Sequence, residues 1–232
     1  MDTSIDGRAL IIGGQSGIGA AFADYLIANY PKVQVGLPPK SYLDVTNHTK
    51  IRTYFEKNGA FTHIVYSAGL NRLAWATDQN IDNIMGQLFD VNCAGFVQVI
   101  SEHVTQFPTA YLSVVAVSSD AGRIPMRGSV AYCASKAALN MAVRVLAREL
   151  APLHRINAVA PGMVADTPMT HYIMETLPGF RDWSPDWAER YEKMGVPTGR
   201  RATKQEVAEA IAFLLFGPEQ MTGTILDING GR

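Results

Sequence analysis

The chain has only two cysteines and no CxxC pair, which excludes a disulfide framework and a thiolate metal site. Cys93 and Cys133 read instead as small buried thiols in a reducing compartment. No run of five or six like charges occurs, and the formal net charge is -1, so no overall basic field exists to hold nucleic acid or an anionic membrane. No apolar run approaches the length of a bilayer span. Residues Met1 to Asp6 lack the basic region and apolar stretch of a secretory leader. These absences point to a cytoplasmic protein and argue against a metal, nucleic-acid or membrane partner.

What is present is alternation. Short apolar runs such as Ala9 to Ile12, His63 to Tyr66, Ala110 to Val117 and Arg155 to Val159 read as strands buried on both faces, with Val33 to Val35 and Gly223 to Ile228 as two more. Helical patterns over 17–29, 47–58, 80–106, 130–152 and 204–216 separate them. This exchange predicts an α/β fold with a doubly wound, mostly parallel Rossmann-type sheet, one domain over 1–232. Only 163–200 departs from it, with its methionines, aromatics and prolines. A long insertion between a strand and a helix serves as a substrate lid or as a surface subdomain with its own core.

The glycine-rich turn Gly13-Gly14-Gln15-Ser16-Gly17-Ile18-Gly19 follows a strand and opens a helix. Glycines there let backbone N–H groups approach a pyrophosphate, and the helix N-terminus faces its charge. The spacing is G-x-x-x-G-x-G, not the commoner G-x-G-x-x-G. Other strand ends (Asp44-Val45, Ala68-Gly69, Ser118-Ser119, Pro161-Gly162) carry small or polar residues and, in such a sheet, line the same crevice.

Ser119 closes a strand, and Tyr132 and Lys136 follow thirteen and seventeen positions later. At i and i+4 of one helix, tyrosine and lysine share a face. A free phenol has a pKa of about 10, and a neighbouring ammonium lowers it. The phenol then serves as acid or base near neutrality, and the serine hydroxyl holds a carbonyl oxygen.

Along essentially the whole chain these residues resemble the short-chain dehydrogenase/reductase family. The glycine turn is similar to that family's T-G-x-x-x-G-I-G, and Tyr66-Ser67-Ala68-Gly69 to its N-N-A-G. Asp44-Val45 is similar to its adenine contact, and Asp227-Ile228-Asn229-Gly230-Gly231 to its closing strand. The Pro161-Gly162 segment, with Val164 and Thr167, resembles the one flanking the nicotinamide. The resemblance implies that Tyr132 exchanges a proton with the substrate oxygen, while Lys136 bonds the nicotinamide ribose and lowers the tyrosine pKa. It implies further that Ser119 polarises the carbonyl and that Asn92 holds a water in a relay to Lys136. A homo-oligomer, tetramer or dimer, through the two long helices is also implied.

Two departures stand out. Ile12 and Ser67 replace a threonine and an asparagine of the family pattern. After the second strand, the usual helical crossover shrinks to Gly36 to Leu43, leading directly to Asp44. Leu37 takes the place where NAD-specific sites carry an acid, and no acidic residue lies between Asp24 and Asp44. Lys40 can pair with a 2′-phosphate, or stand as a solvated loop lysine. Together these favour NADP(H) over NAD(H), although Ser16 sits where a basic residue would strengthen the case.

Arg123 and Arg127, between Ser119 and Tyr132, can receive a carboxylate or phosphate on the substrate, or make surface contacts, with Asp120 placed to pair with either. The expected activity is interconversion of a carbonyl and a secondary alcohol. The alternatives are a non-catalytic dinucleotide sensor or scaffold on the same fold, and a sugar-nucleotide epimerase or dehydratase.

Overall fold

Strand residues of this chain point alternately to two cores, one on each face of a six-stranded sheet. The computed structural model describes residues 5–232. Strands β1 (Gly7–Ile12), β2 (Val33–Gly36), β3 (His63–Tyr66), β4 (Leu112–Val117), β5 (His154–Pro161) and β6 (Ile225–Ile228) are ordered β2-β1-β3-β4-β5-β6. Every neighbouring pair is parallel. Leu10, Ile64, Val114 and Ile156 face helices α2 (His48–Asn58), α4 (Gly95–Gln106) and α5 (Val130–Glu149). Ile11, Val65, Val115 and Val159 face α1 (Gly17–Asn29) and α8 (Lys204–Phe216). Strands covered on both faces have no solvent side, which is why they read as continuous apolar runs.

Strand order reverses beside β1, so a crevice opens at the carboxyl ends of β1 and β3, the place where such sheets bind ligands. Among the described residues no strand lies beyond β2, and residues 37–46 cross as a loop into α2, which Asn47 caps by accepting the N–H of Lys50. The abbreviated segment read from the sequence therefore leaves β2 as the sheet edge.

The helical pattern over 80–106 is interrupted. Helix α3 (Ile81–Phe89) passes through a π-helical turn, Asp90–Ala94, into α4. This composite helix corrects one expectation, because by length and composition alone it could cross a membrane. Its polar residues do not break it, and here it packs against α2 and α5. The 163–200 stretch holds α6 (Pro168–Arg181) and α7 (Pro185–Met194). Ile173, Leu177 and Ala188 give it a small core, while its other side chains line the crevice.

Two buried histidines set a pH dependence of stability. Burial lowers His63 and His103 to about 4, with Arg155 adding to the shift at His63. The unfolded chain takes up protons below about 6.5 and the folded chain does not, so stability is full above that pH and falls as pH drops toward 4. Urea unfolding at pH 7 and pH 5 should show a loss of about 2 kcal/mol per histidine at the lower pH. Equal stabilities at the two values would contradict the buried neutral state.

Candidate active site

The cavity at the switch point has a volume of about 330 Å³. One side of it is the β1–α1 turn. Gly13 has φ +80, and a Cβ there would lie 2.6 Å from the Ala68 nitrogen, so the turn and the end of β3 touch through backbone. Gly19 packs on the Gly13 carbonyl, where a Cβ would sit at 2.4 Å. Ser16 precedes α1 in extended backbone without a side-chain cap, and the first turn of α1 holds no acid. The orphan N–H groups and positive end of the helix thus face the cavity lined by Gly13, Ser16, Gly17 and Ile18.

Deeper in, Ser119, Tyr132 and Lys136 line the same cavity with Gly69, and Pro161, Gly162, Val164 and Thr167 close its far side. Lys136 is buried at 3% exposure, and its Nζ donates to the Val117 carbonyl at 2.9 Å. Burial lowers its pKa to about 8, against a rise from Cys93. That Nζ lies 5.8 Å from the centre of the Tyr132 ring. The expected lowering of the tyrosine by its lysine is not realised in this state. Burial dominates and pushes Tyr132 up to about 12, partly offset by the Ser119 hydroxyl. The Tyr132 hydroxyl also makes a weak contact of 3.8 Å to Met169 Sδ on α6.

Asn92 stands in the π-helical turn, fully buried. Its Oδ1 accepts the Leu70 N–H at 2.7 Å, and its Nδ2 donates to the Leu70 carbonyl and to Ser135 Oγ, each at 2.9 Å. The side chain is spent on structure, so a water relay at this residue would run through its backbone. Ser135, inside the Tyr132–Lys136 spacing, was not assigned from sequence. Its hydroxyl also donates to the Tyr132 carbonyl at 2.8 Å and so fixes Asn92 to α5.

The adenosine side is built differently from the rest. Gln15 Nε2 donates to the Leu37 carbonyl at 2.9 Å, bracing the turn against the loop after β2. Leu37 packs onto Gly14, where a Cβ would meet it at 2.6 Å. Asp44 accepts from the Thr46 N–H and hydroxyl at 3.1 and 2.8 Å, while Val45 is buried against Gly95. Lys40 is exposed, with Asp44 at 3.9 Å. Gln15, Gly19, Leu37, Lys40, Asp44, Val45, Ala68 and Asn92 are therefore not among the cavity-lining residues.

The acid beside Ser119 takes neither arginine expected of it. Asp120 is buried, 3.6 Å from Arg232, and burial raises its pKa against the pull of Arg232. Arg123 pairs with Asp227 instead. Arg127 lines the cavity, joined there by Arg181 of α6. No local signal in the sequence marks Arg181 or Arg232.

These features fit a nicotinamide dinucleotide. The uncapped start of α1 suits a pyrophosphate, and even a Cβ on Gly69 would come within 3.6 Å of Lys136 Nζ in the cavity wall. Comparison with known proteins agrees. Residues 34–232 match the family described as enoyl-(acyl carrier protein) reductase. The oxidoreductase YmfI of Bacillus subtilis (strain 168) is 32% identical over 248 residues, covering 96% of this chain and 97% of its own length. A short chain dehydrogenase family protein from Francisella tularensis has a TM-score of 0.83 at 27% identity, covering 97% of this chain and 98% of that one. A small-chain dehydrogenase solved in complex with NADPH has a TM-score of 0.80 at 25% identity, covering 98% of each chain.

Proposed function

The chain belongs to the short-chain dehydrogenase/reductase family of oxidoreductases, and on that premise we propose that it interconverts a carbonyl and a secondary alcohol with NADP(H), Tyr132 acting as the acid/base. The observation that carries this reading is the meeting of Ser119, Tyr132 and Lys136 with the uncapped start of α1 in one cavity.

The bound nicotinamide supplies or accepts the hydride. The chain's part is positioning and charge. Ser119 Oγ accepts the Ala121 N–H at 3.2 Å and donates to Asp120 Oδ1 at 3.4 Å, which anchors the oxygen at the end of β4 beside Tyr132. A phenol raised to about 12 is fully protonated at neutral pH, so it is ready to donate as negative charge develops on a carbonyl oxygen. For the reverse reaction the phenolate would have to be favoured; Lys136 does not do so in this state, and the positive charge of an oxidised nicotinamide, when bound, would supply that pull. Met169 and the other apolar residues of 163–200 exclude water from the transfer.

Preference for NADP(H) rests on Lys40 and on the lack of an acid between Asp24 and Asp44. It is tested by titrating the purified protein with NADPH and NADH and following nicotinamide fluorescence. NADPH should bind more tightly, and Lys40→Ala should weaken it by about threefold to tenfold with little effect on NADH. Equal loss for both nucleotides would remove Lys40 from the phosphate site. Turnover is tested by adding ketones and aldehydes to the NADPH complex. Nucleotide binding without oxidation of NADPH across such a panel would overturn the reaction in favour of a sensor.

We propose a cytoplasmic location, supported by the two free thiols, Cys93 and Cys133. A homo-oligomer is proposed through the long helices, since Met141 and Val145 stand exposed on α5. Light scattering of the purified protein checks the latter.

A further inference from the structure

Three arginines line the cavity: Arg127, Arg181 and Arg232. Arg232 is answered by Asp120 at 3.6 Å. Among the described residues, neither of the others has a carboxylate within ion-pair distance. Glu192 is the acid that senses Arg181, and it is shared with Arg232 and Arg201. The two unpaired guanidiniums approach one indole, Arg127 at 5.2 Å and Arg181 at 5.6 Å from the Trp75 ring centre. Phe180 stacks on that indole at 4.6 Å and holds the end of α6 in place.

Arg181 donates one N–H to the Arg127 carbonyl, yet its Nε is buried without a partner. A buried donor left unmatched calls for an acceptor. Two like charges held beside one ring repel, and an anion between them removes that cost. A guanidinium fork also matches carboxylate and phosphate oxygens. We propose that Arg127 and Arg181 form a subsite for an anionic group, a carboxylate or a phosphate, on the substrate at the exposed rim of the cavity. This inference rests on the reading of the cavity as a carbonyl–alcohol site, and it names the substrate class as charged carbonyl compounds.

The test uses two matched pairs: 4-oxopentanoate against its methyl ester, and dihydroxyacetone phosphate against dihydroxyacetone. Binding is read without turnover, from tryptophan fluorescence. At least one anion should give a saturable change at a concentration about tenfold below its neutral partner, and the tighter anion identifies the source. Arg127 is on the surface, so Arg127→Gln folds, and it should cut the preference for the anion by about tenfold. The same ratio is read as kcat/KM with NADPH. No preference for either anion, or a preference unchanged in Arg127→Gln, overturns the subsite. Anion binding that depends on Arg127 without NADPH oxidation keeps the subsite and overturns the reaction. Turnover of neutral ketones with no anion preference does the opposite.

Discussion

Tyr132→Phe should lower kcat about a thousandfold or more while leaving nucleotide binding intact. The substitution removes one oxygen and keeps the ring. At 7% exposure the ring is part of the packing, against Ala121, Ala131 and Leu88, so phenylalanine fills the same volume and no cavity opens. The hydroxyl's contact to Met169 is weak, at 3.8 Å, and losing it costs little. Lys136 keeps its bond to the Val117 carbonyl, and the α1 turn does not touch the phenol. What disappears is the proton donor beside Ser119. Ser119 alone cannot replace it, since a hydroxyl without a nearby base neither gives nor takes a proton readily at neutral pH. Single-turnover oxidation of NADPH in the variant, beside nucleotide titration by fluorescence, separates the roles. A variant with near-normal turnover would remove Tyr132 from the chemistry, and one that no longer binds nucleotide would make the tyrosine structural.

The sequence was most legible where a local rule acts on neighbouring residues. Helix α1 begins at Gly17 and ends at Asn29, and α8 runs from Lys204 to Phe216, as the patterns predict. In α8, Thr203 and Glu206 form a reciprocal cap, a signal contained in four residues. The Ser119–Tyr132–Lys136 convergence was legible for the same reason, one strand end and one helix face. The π-helical turn at Asp90–Ala94 was not, because one added residue leaves apolar spacing unchanged on either side. Yet that turn carries Asn92, and its tie to Ser135 decides that the side chain is structural. Charge partners were the least legible. Asp120 lies three residues from Arg123, but reaches Arg232 at the far end of the chain. Pairing across the sheet depends on tertiary distance, for which sequence separation gives no guide. The tyrosine's raised pKa belongs with these, because i,i+4 spacing fixes a shared face but not where the lysine ammonium points.

Arg155→Leu should destabilise the protein by about 4 kcal/mol, a large part of the roughly 5–15 kcal/mol that holds a domain folded. Read along the sequence, Arg155 is merely the polar start of a strand. In the fold it is 4% exposed and, among the described residues, has no carboxylate partner. Its Nη2 donates to the carbonyls of Leu214 and Leu215 at 2.7 and 3.1 Å, and its Nη1 to those of Gly217 and Pro218. Leu214 and Leu215 carry last-turn carbonyls at the negative end of α8, and Gly217 and Pro218 follow directly as the chain leaves the helix. That helix has no basic residue in its last turn, so a residue of β5 caps it from across the core. Leucine fits within the volume but leaves the buried Leu214 carbonyl unmatched and strips the guanidinium from those of Gly217 and Pro218, while Leu215 keeps the Ser113 hydroxyl; each acceptor that water cannot reach costs about 1–3 kcal/mol. Urea unfolding should show the midpoint falling sharply, with Arg155→Lys recovering only part, because one ammonium cannot span so many carbonyls. A loss below about 1 kcal/mol would mean water replaces the guanidinium. The residue lies at the end of β5 opposite Pro161, so the molecules that remain folded should bind nucleotide as before, which separates this cap from the machinery of the site.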